Sequence, residues 1–68
     1  MIERELTEAE TKQVYKEICD AKLEPVHTDY DRKSSDLYYK HNGKTYRLVY
    51  DNSCDWFCDI AYEGDYNV

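Results

Sequence analysis

Glycine and proline are scarce in this chain, two and one respectively among 68 residues. That scarcity leaves no Gly/Ser- or Pro-rich linker and no low-complexity tract, and no segment repeats internally. Cysteine is sparse too: three residues cannot pair completely, and no N-terminal apolar run with a basic flank reads as a signal peptide. A reducing, cytoplasmic location is therefore expected. No stretch approaches the roughly 20 consecutive apolar residues that span a bilayer, so a soluble protein is expected. Beyond Arg47 there is no Lys or Arg at all.

What is present is acidic and aromatic. The net charge of −6 is unevenly spread, with residues 1–31 summing to −5, residues 32–47 to +4 and residues 48–68 to −5. Such a chain repels nucleic acid overall, and its expected partners are proteins with basic surfaces. Eight Tyr, one Trp and one Phe supply large rings for a core. The length predicts one small acidic domain over residues 1–68, near the size at which a single core confers only a few kcal/mol of stability, so a homodimer is a natural expectation.

The organising stretch is Asp36 to Glu63. Asn42-Gly43 tolerates the φ > 0 that a two-residue type I′ turn needs at both central positions. Counting outward, His41 faces Lys44, Tyr39 faces Tyr46 and Leu37 faces Leu48, with Tyr50 continuing that apolar side. The opposite side collects Asp36, Tyr38, Lys40, Thr45, Arg47 and Val49, the mixed composition of a sheet face left in water. A one-residue slip would bury Lys40 and Arg47, so the register is well determined.

A third strand is expected from alternation, with Cys54, Trp56, Cys58, Ile60 and Tyr62 inward and Ser53, Asp55, Phe57, Asp59, Ala61 and Glu63 outward. A helix here would stack Asp51, Asp55, Asp59 and Glu63 at i, i+4 spacing along one stripe.

Upstream, Met1 to Leu6 carries no firm assignment. Thr7-Glu8-Ala9-Glu10 matches a capping box and predicts a helix from about Glu8 to about Lys22. Thr11, Val14, Tyr15, Ile18, Cys19 and Ala21 form its inward stripe. Lys12, Lys16, Gln13, Glu17 and Asp20 lie on its wet face, with Glu8 paired to Lys12. Pro25 is expected to end the helix. His27 to Ser35 reads as a polar connection, with residues 26–30 as a candidate short edge strand. The fold class is α+β: one N-terminal helix packed on a three-stranded antiparallel sheet, in the order α-β-β-β.

The candidate chemistries mostly fail on geometry. Cys54 and Cys58, with Cys19, His27 or His41, suggest a zinc site, but two cysteines four strand steps of about 3.3 Å apart cannot reach one ion or each other. Small buried hydrophobes are the simpler reading, and neither a metal nor a cofactor is expected. A Cys-His nucleophilic site would need a pocket that one helix and three strands hardly provide, and both histidines read as solvent-exposed; the chain is expected not to be an enzyme. Arg32, Lys33, Lys40, Lys44 and Arg47 beside Tyr38 could form a cationic face for single-stranded nucleic acid. Asp55, Asp59 and Glu63 on that face would repel phosphate within a Debye length.

The favoured reading is a non-catalytic protein-binding module, a small acidic inhibitor of the phage or mobile-element type that blocks a basic or nucleic-acid-binding surface. Asp51, Asp55, Asp59, Glu63 and Asp65 would form a row of carboxylates that imitates phosphates, against the plainer alternative of a solubilising surface. Phe57, flanked by Tyr38 and Val49, would add an apolar spot for the partner to cover. A nucleic-acid-binding regulator using the basic hairpin, or a metal-stabilised domain, is the alternative.

Overall fold

The computed structural model describes residues 2–51 and 58–68, and the side chains of residues 2–50 and 60–68. The described residues form an α+β fold with six elements: β1 (Glu3–Glu5), α1 (Glu8–Asp20), β2 (His27–Tyr30), β3 (Ser34–His41), β4 (Lys44–Asp51) and β5 (Cys58–Gly64). The strands make one antiparallel sheet in the order β1-β5-β4-β3-β2. The three strands expected from the sequence are its centre, and β1 and β2 add an edge on either side.

The β3–β4 hairpin has the expected register, with His41 opposite Lys44, Tyr39 opposite Tyr46 and Leu37 opposite Leu48. Asn42 and Gly43 have φ of 53° and 73°, as the type I′ turn requires. Alternation then places Tyr39, Tyr46 and Leu48 in the core with Leu6, Ile18 and Ala61, while Val14, Tyr15, Leu23, Leu37 and Tyr50 pack around them.

Helix α1 starts at the capping box read from the sequence. The Glu10 amide donates to Thr7 Oγ1 at 3.2 Å and the Thr7 amide to Glu10 Oε1 at 3.0 Å, so two donors without helical partners are satisfied together. The helix ends two residues before the expected Lys22, and Pro25 is not what stops it. The Lys22 amide donates to the Cys19 carbonyl and the Leu23 amide to the Ile18 carbonyl, both at 3.1 Å, with Lys22 at φ 53°. This is a Schellman closure, and it folds Leu23 back onto the core. Thr11 and Ile18 are buried as expected, but Cys19 and Ala21 are exposed, because the stripe turns away from the sheet in the last turn.

The largest correction concerns β5. Val49 pairs with Ile60 but Tyr50 pairs with Cys58, so the ladder shifts by one residue at Asp59. An extra residue in one strand inverts the inside–outside phase on one side of it. Ala61 and Glu63 therefore share the helix side with Leu48 and Tyr46, while Ile60 and Tyr62 join Val49 and Arg47 on the outer face. Ala61 is fully buried and Ile60 is 40% exposed, the reverse of unbroken alternation. The helix packs mainly over β5, and a methyl at position 61 lets it approach where an Ile or Tyr would hold it away. Ser53, Cys54, Asp55, Trp56 and Phe57 lie outside the described residues, so their expected alternation has no counterpart here.

The two edges were the least legible parts. β1 pairs Glu3, Arg4 and Glu5 with Gly64, Glu63 and Tyr62. Gly64 permits this close approach, since a Cβ there would meet the Ile2 carbonyl oxygen at 2.6 Å. β2 pairs His27–Tyr30 with Ser35–Tyr38, within the stretch read from the sequence as a connection with a candidate edge strand.

Candidate interaction surface

Alternation and the β5 bulge together set the composition of the sheet face opposite α1. Arg47 from β4 is at its centre. Its guanidinium lies 4.4 Å from the Tyr62 ring centroid, while Nη2 approaches Glu3 Oε1 at 3.4 Å and Nη1 approaches Asp36 Oδ2 at 3.8 Å. Nε is buried with no hydrogen-bond partner among the described residues. Burial alone would lower the Arg47 pKa, but attraction to Glu3, Tyr66 and Asp36 outweighs it and holds the guanidinium above its ordinary value.

The chain end crosses the same face. The Tyr66 hydroxyl donates to Glu3 Oε2, and the Tyr66 ring meets Tyr38 edge-on at 5.1 Å between centroids. Tyr38 in turn contacts the His27 ring at 5.4 Å. Burial first, and then the neighbouring Glu3 carboxylate, push the Tyr66 phenol well above the usual tyrosine range. The result is a line of rings, His27, Tyr38 and Tyr66, beside an arginine held by two carboxylates, with Val49 and exposed Ile60 alongside.

The structure brings only part of the expected acidic row to this face. Tyr38 and Val49 are there. Asp51 ends β4 opposite Ser34, and Asp59 occupies the bulge. Asp65 follows β5, is exposed, and its amide donates to the Ile2 carbonyl at 3.1 Å. Glu63, expected outward, lies on the helix side because of the bulge. There Arg4 Nη2 reaches it at 3.0 Å and Lys44 Nζ at 3.4 Å. The Arg4 hydrogen bond is the main reason its carboxyl sits below the ordinary range. Arg4 also grips Glu10 through two bonds of 3.1 and 3.2 Å, which ties β1, α1 and β5 together beside a shallow hollow of about 350 Å³. Asp55 and Phe57 lie outside the described residues.

His27 is exposed as expected, although it sits in β2 against the Tyr38 ring, whereas His41 is not a free solvated side chain. His41 is half-buried, with Nε2 3.0 Å from Glu17 Oε1, and so pins the hairpin to the helix. Gln13 first and His41 second lower the Glu17 carboxyl below its ordinary value. Among the described residues no three His, Cys, Asp or Glu side chains cluster as a metal site would require, and Cys19 is exposed. No described helix is long and apolar enough to cross a membrane.

Sequence reasoning missed the Arg47 network, because its members come from both ends of the chain. The only signal was that Arg47 is the last base in the sequence. The chain matches no family model, no curated protein and no solved structure.

Proposed function

We propose that this chain is a non-catalytic protein-binding module, a small acidic inhibitor that covers a basic or nucleic-acid-binding surface of a partner protein. The observation that carries this reading is the sheet face opposite α1, which no described helix covers. There Tyr38, Tyr66, Val49 and Ile60 offer apolar and aromatic surface next to acidic side chains of β1, β2 and β3. Aromatic rings beside small apolar patches make effective anchors once a partner desolvates them. Residues 48–68 carry five acids and no base, a charge that would attract a cationic partner at long range. Direct nucleic-acid binding by the hairpin is less well supported, since Arg47 is occupied by Glu3 and Asp36 and Lys44 by Glu63.

On this reading long-range charge governs association and the apolar anchors govern dissociation. Affinity capture from the native host supplies the partner, and surface-binding kinetics then divide the roles. Reversing Asp55 and Asp59 should slow association and flatten its salt dependence, whereas Phe57→Ala or Tyr38→Ala should mainly speed dissociation, by about 1–3 kcal/mol. A Glu8→Lys control on the opposite, helical surface should change little. If these variants fold normally and bind like the parent, the reading is wrong.

A further inference from the structure

The β2 margin of the sheet carries a self-complementary pattern. The Asp31 amide donates to the Ser34 carbonyl at 2.9 Å, which sets the phase of the β2–β3 ladder. In an antiparallel pair the hydrogen-bonded positions recur every second residue, so Asp29 and His27 also turn their backbone groups toward β3. Thr28 and Tyr30 therefore turn their N–H and C=O groups to the side on which no described strand pairs with β2. The Val26 amide is held by the Tyr38 carbonyl at 2.7 Å, so the approach to the strand is anchored as well. Val26, just before the strand, is 50% exposed and Tyr30, at its end, 73% exposed, two of the four large apolar side chains most open to water among the described residues.

We propose that two copies of this chain join along β2, antiparallel and with Thr28 on the two-fold axis, to make one continuous ten-stranded sheet. In this register each Thr28 exchanges both backbone bonds with its counterpart, and each Tyr30 amide reaches the Val26 carbonyl of the second copy. His27 faces Asp29 of the other copy, twice, so an imidazole N–H meets a carboxylate on both sides of the axis. Val26 comes opposite Tyr30 in the same way. Moving the axis by one residue would set Asp29 directly against Asp29, where like charges oppose pairing. The exposed charges of a short edge normally discourage indiscriminate strand addition; here the same charges select one register and one partner.

An axis at Thr28 runs perpendicular to the sheet, so both helices lie on one side and both outer faces on the other. The pairing does not require any particular outer-face partner, although His27 and Asp29 lie on that face. Five residues a side make a small interface, so the association is concentration-dependent rather than permanent.

Sedimentation equilibrium of the full chain tests this directly. The mass should rise from 8.2 kDa toward twice that value as concentration increases from about ten micromolar to about one millimolar. Thr28→Pro deletes an outward N–H without cutting a bond to β3, and should weaken the dimer about tenfold or more while thermal unfolding at low concentration stays near that of the parent. Asp29→Lys should weaken it similarly, and His27→Asp added to Asp29→Lys should restore it by recreating an opposed charge pair. The charge-swap pair decides the matter even if Thr28→Pro folds poorly. A mass that stays at 8.2 kDa at millimolar concentration overturns the proposal. So does a dimer that neither Asp29→Lys nor its double variant changes.

Discussion

Ile60 and Ala61 provide the sharpest test of the bulge. Ala61 is fully buried on the helix side and Ile60 is 40% exposed on the other face. Ala61→Leu adds three carbons where α1 leaves no room, and overpacking of this kind costs about 1–3 kcal/mol. Ile60→Ala removes a side chain already partly in water, so its cost should fall below the roughly 2–5 kcal/mol of a fully buried Ile→Ala change, near about 1 kcal/mol. Had alternation continued unbroken from Cys54, the order would reverse: Ile60→Ala would be severe and Ala61→Leu nearly silent. A domain of this size has only about 3–10 kcal/mol in total. With a urea dependence of about 1 kcal/mol per molar, Ala61→Leu should lower the midpoint by about 1–3 M and Ile60→Ala by about 1 M at most. Urea unfolding followed by far-ultraviolet circular dichroism reads this directly. A lower midpoint for Ile60→Ala than for Ala61→Leu would refute the inverted phase.

Three further outcomes follow from the local geometry. Gly43→Val should cost about 1–2 kcal/mol in the same assay, through backbone strain alone, because φ is 73° and a Cβ there would meet nothing within 4 Å. Lys22→Gly should raise the melting temperature, worth about 0.5–1 kcal/mol, since Lys22 occupies the left-handed position that glycine adopts without strain. Glu10, held by Arg4 and the Thr7 amide, has its pKa lowered from 4.5 to about 2. A depressed carboxyl pKa contributes stability that is present above the ordinary value and lost as pH falls toward the folded one. The melting temperature should therefore drop between about pH 4.5 and pH 2, and Glu10→Gln should flatten that limb, leaving the part due to Glu17 and Glu63.

The β3–β4 hairpin was readable residue by residue because its information is local: a two-residue turn that only Asn-Gly satisfies easily, flanked by strands whose polarity forbids a slip. The start of α1 was equally legible, since Thr7 and Glu10 make the cap within four residues. The far end was not. Lys22 is an ordinary residue in a left-handed position, and only the packing of Leu23 onto Ile18 and the core explains why the chain turns there rather than at Pro25.

At the candidate surface, Tyr38 and Val49 were legible from hairpin alternation, while Glu63 was misplaced because alternation is blind to one extra residue. At this end of β5 the hydrophobic pattern favours Ile60 and Tyr62 inside. The approach of α1 over Ala61 and the capture of Glu63 by Arg4 and Lys44 favour the other phase.

The sequence by itself determined the α+β class, the hairpin register, the helix start and the uneven charge, because each depends on residues within a few positions of one another. The tertiary structure alone decided the pairing of β1 with β5, the phase of β5 and the gathering of Glu3, Arg47 and Tyr66 onto one face. Those depend on groups more than forty residues apart, whose meeting reflects the packing of the whole chain rather than the preference of any segment.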